Sequence, residues 1–162
     1  MAAVYVETWQ AIKQFLMATF TAEMAPGGAL DNLVAVEPVC PPASKAFPAL
    51  GFQFRTNSDT TWGQNVSRVT CTFEFQINVL RDYDPVKTDA VKQTALLAEN
   101  LWNDGNGRGL GAVLNANQTL GGLAIQYDLD HQIVIGRDVL DENETGALVA
   151  ARIIVYAEKK DF

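Results

Sequence analysis

Apolar and polar residues alternate without a break along residues 68–80. Val69, Cys71, Phe73, Phe75, Ile77 and Val79 take one set of positions, and Arg68, Thr70, Thr72, Glu74, Gln76 and Asn78 the other. Successive side chains of a β-strand point to opposite faces, so this spacing gathers every apolar group on one side, whereas a helix would scatter them. Burying that set contributes on the order of 9–18 kcal/mol before conformational entropy is charged. A slip of one residue would expose all of it, which fixes the register. The segment predicts a long or central antiparallel strand with one face on a core. Its other face is polar and uncrowded by charge, as suits a surface meeting water or another subunit.

The remaining elements follow from the same reading in chain order. Residues 4–20 repeat apolar side chains at helical spacing, among them Trp9, Ile12, Phe15, Leu16 and Phe20, which predicts an amphipathic helix of about four turns. Pro26-Gly27-Gly28 breaks it, 33–37 reads as a short strand, and Pro38, Pro41 and Pro42 set a stiff loop. Residues 50–55 alternate as a second strand. The polar run 56–65 reads as a long hairpin connection carrying Trp62. Asp84-Pro85 is a helix start, and the apolar stripe from Val86 to Trp102 predicts a second helix lying over Phe73 and Phe75. It stops at Asp104-Gly105. Residues 105–111, GNGRGLG, predict a mobile loop with Arg108 at its tip rather than a phosphate loop, because they follow a helix and lack Gly-Lys-Ser/Thr. Three strands close the chain, at 119–129, 132–140 and 147–158, with a turn near Asp130-His131 and an acidic turn at 141–144. The last strand is so continuously apolar that burial on both faces is expected. Together these elements predict a single α+β domain over residues 1–162, a mostly antiparallel sheet of five or six strands with two helices packed on one face.

Composition narrows the function. The 162 residues are 48% hydrophobic and 19% charged, enough for a real core in one domain. Twelve Lys+Arg against 19 Asp+Glu give −7, which argues against a partner held by neutralising phosphates, whether nucleic acid or anionic membrane. No run approaches the roughly 18 apolar residues of a membrane span, and the N-terminus lacks the signal-peptide pattern. Cys71 falls among the inward-facing strand residues and Cys40 in the proline-rich loop; two free thiols in a reducing compartment are expected.

Chemistry is sparse. His131 is the single histidine. Asp128 and Asp130 sit two apart and would share a strand face, with His131 turned away; the simplest expectation is a solvated turn. Zinc needs three or four ligands that this chain does not group. No nucleophile elbow, zincin motif or Cys-x-x-Cys is present. No catalytic, cofactor or metal site is expected.

The order of elements resembles the tail terminator (tail completion) proteins of tailed bacteriophages. The resemblance rests on an N-terminal amphipathic helix, the long alternating strand before a helix ending Leu101-Trp102-Asn103, and the later Asn117-Gln118-Thr119-Leu120-Gly121-Gly122 segment. It implies a non-enzymatic structural protein of the virion tail or neck, assembled in the host cytoplasm. Such a protein forms a homo-oligomeric, hexameric ring that caps the tail tube, stops its polymerisation and offers a surface to the head-side connector. DNA would pass through the channel without specific binding, and no cofactor would be needed. Trp62, Arg108, Arg152 and Tyr156 are the candidate assembly-contact residues. A head–tail stopper or other neck-ring protein is the alternative within that class. A ligand-binding or enzymatic domain using Asp128, Asp130 and His131 is the alternative outside it.

Overall fold

A computed structural model describes residues 8–43, 48–61, 66–80, 90–141 and 144–160. Its elements are α1 (Thr8–Glu23), β1 (Ala35–Glu37), β2 (Ala49–Thr61), β3 (Val66–Leu80), α2 (Ala90–Trp102), α3 (Leu110–Ala116), β4 (Gln126–Asp141) and β5 (Glu144–Lys160). The five strands form one sheet in the order β1-β2-β3-β5-β4. Only the short β1–β2 pair is parallel; β2–β3, β3–β5 and β5–β4 are antiparallel. The protein is an α+β domain with its helices packed on one face of the sheet.

The alternation in β3 sets the layering. Val69, Cys71, Phe73, Phe75, Ile77 and Val79 are each at most 2% exposed. Register carries that face across the sheet: Phe75 lies opposite Phe52 on β2 and Ala151 on β5, and Ala151 lies opposite His131 on β4. Helix α1 buries Ile12, Leu16 and Phe20, spaced four apart on one stripe. The ring of Phe20 meets Phe52 and Phe75 edge-on at 5.6 and 5.8 Å, and Trp9 stacks on Phe54 at 4.4 Å. Helix α1 therefore covers the β2–β3 half. Helix α2 packs mainly on β5 and β4 and touches β3 less, so the ring over Phe75 comes from α1 rather than from α2 as the sequence suggested.

Three other expectations change. The polar run after Arg55 continues as strand to Thr61, and β2 and β3 form one long hairpin; threonines and a serine suit a pleated, solvated surface. The turn expected near Asp130-His131 is uninterrupted strand, so the C-terminal part is one hairpin of two long strands instead of three. Finally, β5 alternates rather than being buried on both faces. Val149, Ala151, Ile153, Val155 and Ala157 are buried, Arg152 is exposed, and Leu148, Ile154 and Tyr156 are half-buried.

The glycine-rich segment is the clearest correction. Residues 110–116, the first two of which fall in the loop expected to be mobile, form a third helix that buries Leu110, Val113 and Leu114. Gly109 precedes it at φ 109°, a conformation that strains any residue with a Cβ. A Cβ on Gly111 would lie 2.6 Å from Cε2 of the Trp102 indole, so its missing side chain is the space in which Trp102 packs. The turn before the helix is tied down. The Asp104 carboxylate accepts the N–H groups of Asn106 and Arg108, and Gly109 N–H donates to the Ala29 carbonyl at 2.9 Å.

Candidate functional site

Among the described residues the three helices lie on the face of Phe75, and none covers the opposite face of the long strands. This open face is built from the other parity of each strand: Gln53 and Arg55 on β2, Thr70, Thr72, Glu74, Gln76 and Asn78 on β3, Ala150, Arg152, Ile154 and Tyr156 on β5, and Asp128, Asp130 and Gln132 on β4. Residues 38–43 cross one end of it, where a Cβ on Gly51 would collide with the Val39 backbone. Cys40 N–H donates to Gln53 Oε1 at 3.3 Å.

A row of alternating charge runs across this face. Glu74 lies opposite Arg152, which lies opposite Asp130, and Arg55 reaches Glu74 from β2 at 2.5 Å between Nε and Oε2. Arg152 closes on Asp130 at 3.1 Å. The order from β2 to β4 is thus Arg55, Glu74, Arg152, Asp130, two cations alternating with two anions. All four side chains are more than a third exposed, so the pairs add little stability. Their charges cancel within the row, and Asp128 leaves the face polar with one negative charge in excess. In the next register, Tyr156 O–H donates to Asp128 Oδ2 at 3.0 Å; on the other side, Gln76 donates to Asn78 at 2.7 Å.

An open depression of about 460 Å³ lies on this face, lined by Cys40, Glu74, Gln76, Asp130, Gln132 and Arg152 among others. Burial pushes the Cys40 thiol above its ordinary value, the Glu74 carboxylate adds to the rise, and the Arg55 guanidinium opposes it. A thiol pushed upward is a poor nucleophile. Neither Cys40 nor Cys71 is in a disulfide.

The expected contact residues are divided by this geometry. Arg152 and Tyr156 share the open face of β5, each paired with an aspartate of β4. Arg108 is elsewhere: its guanidinium is turned onto the Asp31 carboxylate, which also accepts the Gly27 N–H. The loop expected to be mobile is therefore tied to the segment after α1. Trp62 lies outside the described residues. Asp128 and Asp130 do share a face with His131 turned away, as their spacing predicted. The imidazole stacks on Trp102 at 4.2 Å and 14° on the helical side, so the three do not converge on one cleft. Among the described residues no group of three or more His, Cys, Asp or Glu could hold a metal ion, and no helix is long and apolar enough to cross a membrane.

Sequence reasoning did not single out Arg55 or Glu74. The signal was present in the parity of β3, which put Glu74 on its polar face, but partners on strands far apart in sequence need the sheet order. Comparison with protein-family models and with characterised proteins gives no match for this chain.

Proposed function

We propose that this chain is a structural ring subunit, a tail terminator of a tailed bacteriophage that caps the tail tube, halts its growth and presents a surface to the head-side connector. The observation that carries this reading is the open face: four adjacent strands, polar and nearly balanced in charge, uncovered by any helix among the described residues. A broad polar sheet face of this kind suits a lining or contact surface. The sequence resemblance supplies the particular assembly, and the open face supplies a surface fit for its channel. A wall with paired charges has little field, so a duplex sliding past would not be gripped. The excess of acid over base elsewhere acts in the same direction.

Arg152 and Tyr156 belong to that surface in this reading, whereas Arg108 serves the fold. The function is tested by electron micrographs of particles assembled without the protein. Over-long, uncapped tails are the expected result. Tails of normal length would refute the terminator role, and tailless heads that leak DNA would assign the protein to the stopper position instead. Light scattering of the purified protein checks the ring itself, with a hexamer-sized species expected as concentration rises.

A further inference from the structure

The two long edges of the sheet are unlike each other. Strand β4 is one edge. On the other side, β1 covers β2 only at Ala49–Gly51, and among the described residues no strand pairs with β2 beyond that point. Because β2–β3, β3–β5 and β5–β4 are all antiparallel, β4 runs opposite to β2. A second copy in the same orientation would thus meet β4 with its β2 in antiparallel sense. The charge row has the matching property. Read across the join, Arg55, Glu74, Arg152 and Asp130 would be followed by Arg55 of the next copy, and the alternation would continue unbroken.

We infer that the subunits join edge to edge, β4 of one copy adding to the exposed stretch of β2 of the next with Asp130 set opposite Arg55. The inference rests on the ring reading and names its joint. In this register Asp128 falls opposite Ser58 and His131 opposite Phe54, allowing for the bulge after Phe54; the join stops at Ile133 opposite Phe52, because Val134 would fall opposite Gly51, which β1 already covers. The helical side would then bring the Trp102–His131 stack of one copy beside the Trp9–Phe54 stack of the next. Pairing of β4 with a second β4 centred on Leu129 would set Asp128 against Asp130 of the other copy, which is destabilising. Head-to-tail joining of unlike edges is the kind of contact that closes into a ring. The competing reading takes the bulge on β2 as a device that blunts an exposed edge against any partner.

Cysteine cross-linking decides between them. Arg55 and Asp130 stand three strand spacings apart within one chain, about 14 Å, too far for an internal bridge. In the full chain with Cys40→Ser, the pair Arg55→Cys and Asp130→Cys should give, on mild oxidation, a covalent ladder rising to the whole ring. Dimers alone, or dimers from Asp130→Cys by itself, would indicate face-to-face or β4–β4 packing and overturn the inference. Rings seen by light scattering but not cross-linked would overturn the joint and leave the ring reading standing. A strict monomer would sink both. Charge exchange gives a second measurement. Arg55→Glu or Asp130→Arg alone should weaken association about tenfold, and the two together should restore most of it; a double variant no better than the singles would also count against the joint.

Discussion

Truncating Phe75 to alanine should be among the most damaging single changes in the sheet, while the same change at its neighbour Glu74 should hardly register. Phe75 is 1% exposed and lies 5.8 Å from the ring of Phe20 and 6.1 Å from that of Phe52. Loss of a buried phenylalanine costs about 3–5 kcal/mol in transfer and cavity terms, which includes the aromatic contacts of about 0.5–1.5 kcal/mol each. Whole-domain stabilities are roughly 5–15 kcal/mol, so the variant loses a fifth of its stability at the least. For a chain of this length that corresponds to a fall in Tm of about 6–20 °C. Glu74 makes one ion pair at the exposed surface, worth at most about 1 kcal/mol after solvent screening. Urea unfolding followed by circular dichroism measures both, with unchanged m-values required for the comparison. Equal losses for Phe75→Ala and Glu74→Ala, or a larger loss for Glu74→Ala, would mean that the two faces of β3 are not distinguished as described.

Gly111→Ala should lower Tm, because its methyl group would enter the space of the Trp102 ring and such overpacking costs about 1–3 kcal/mol; a Tm equal to the parent's would show that the contact yields freely. Arg108→Ala should cost at most about 1 kcal/mol, the worth of an exposed ion pair, and leave association unchanged in light scattering, since its guanidinium is already engaged with Asp31. Loss of association in a folded Arg108→Ala protein would return that residue to the assembly surface. Cys40 should titrate above an ordinary thiol because burial, then Glu74, disfavour its thiolate. Its neutral form thus favours the folded state below the ordinary thiol value, and that contribution is lost as pH rises through the raised one. Alkylation rate against pH is the check, and a midpoint at or below the ordinary thiol value would contradict it.

What could be read from the sequence was whatever depends on neighbours in the chain. The strand of Phe73 and Phe75 and the helix of Ile12, Leu16 and Phe20 each declare themselves by periodicity. So did the shared face of Asp128 and Asp130 with His131 opposed. The errors arose where tertiary context overrode local signals. Asp130-His131 looks like a turn by composition, yet it lies within β4, where it is held by pairing with Arg152 and Ala151. The glycines of 105–111 look permissive, but two of them are required by the close approach of Trp102. The charge row was out of reach for a different reason. Its four members come from four strands, and only the sheet order makes them neighbours.

The alternation described for β3 and β5 also divides the positions along each strand between two kinds of constraint. Positions 69, 71, 73, 75, 77 and 79 answer to the helices beneath them, and any change there is felt as lost stability. Positions 70, 72, 74, 76 and 78 can change without disturbing a packed interior, so the open surface can be rewritten while the fold stays fixed. A library randomised only at the second set, and selected first for folding and then for assembly, would therefore lose few members at the first step and most of its losses at the second.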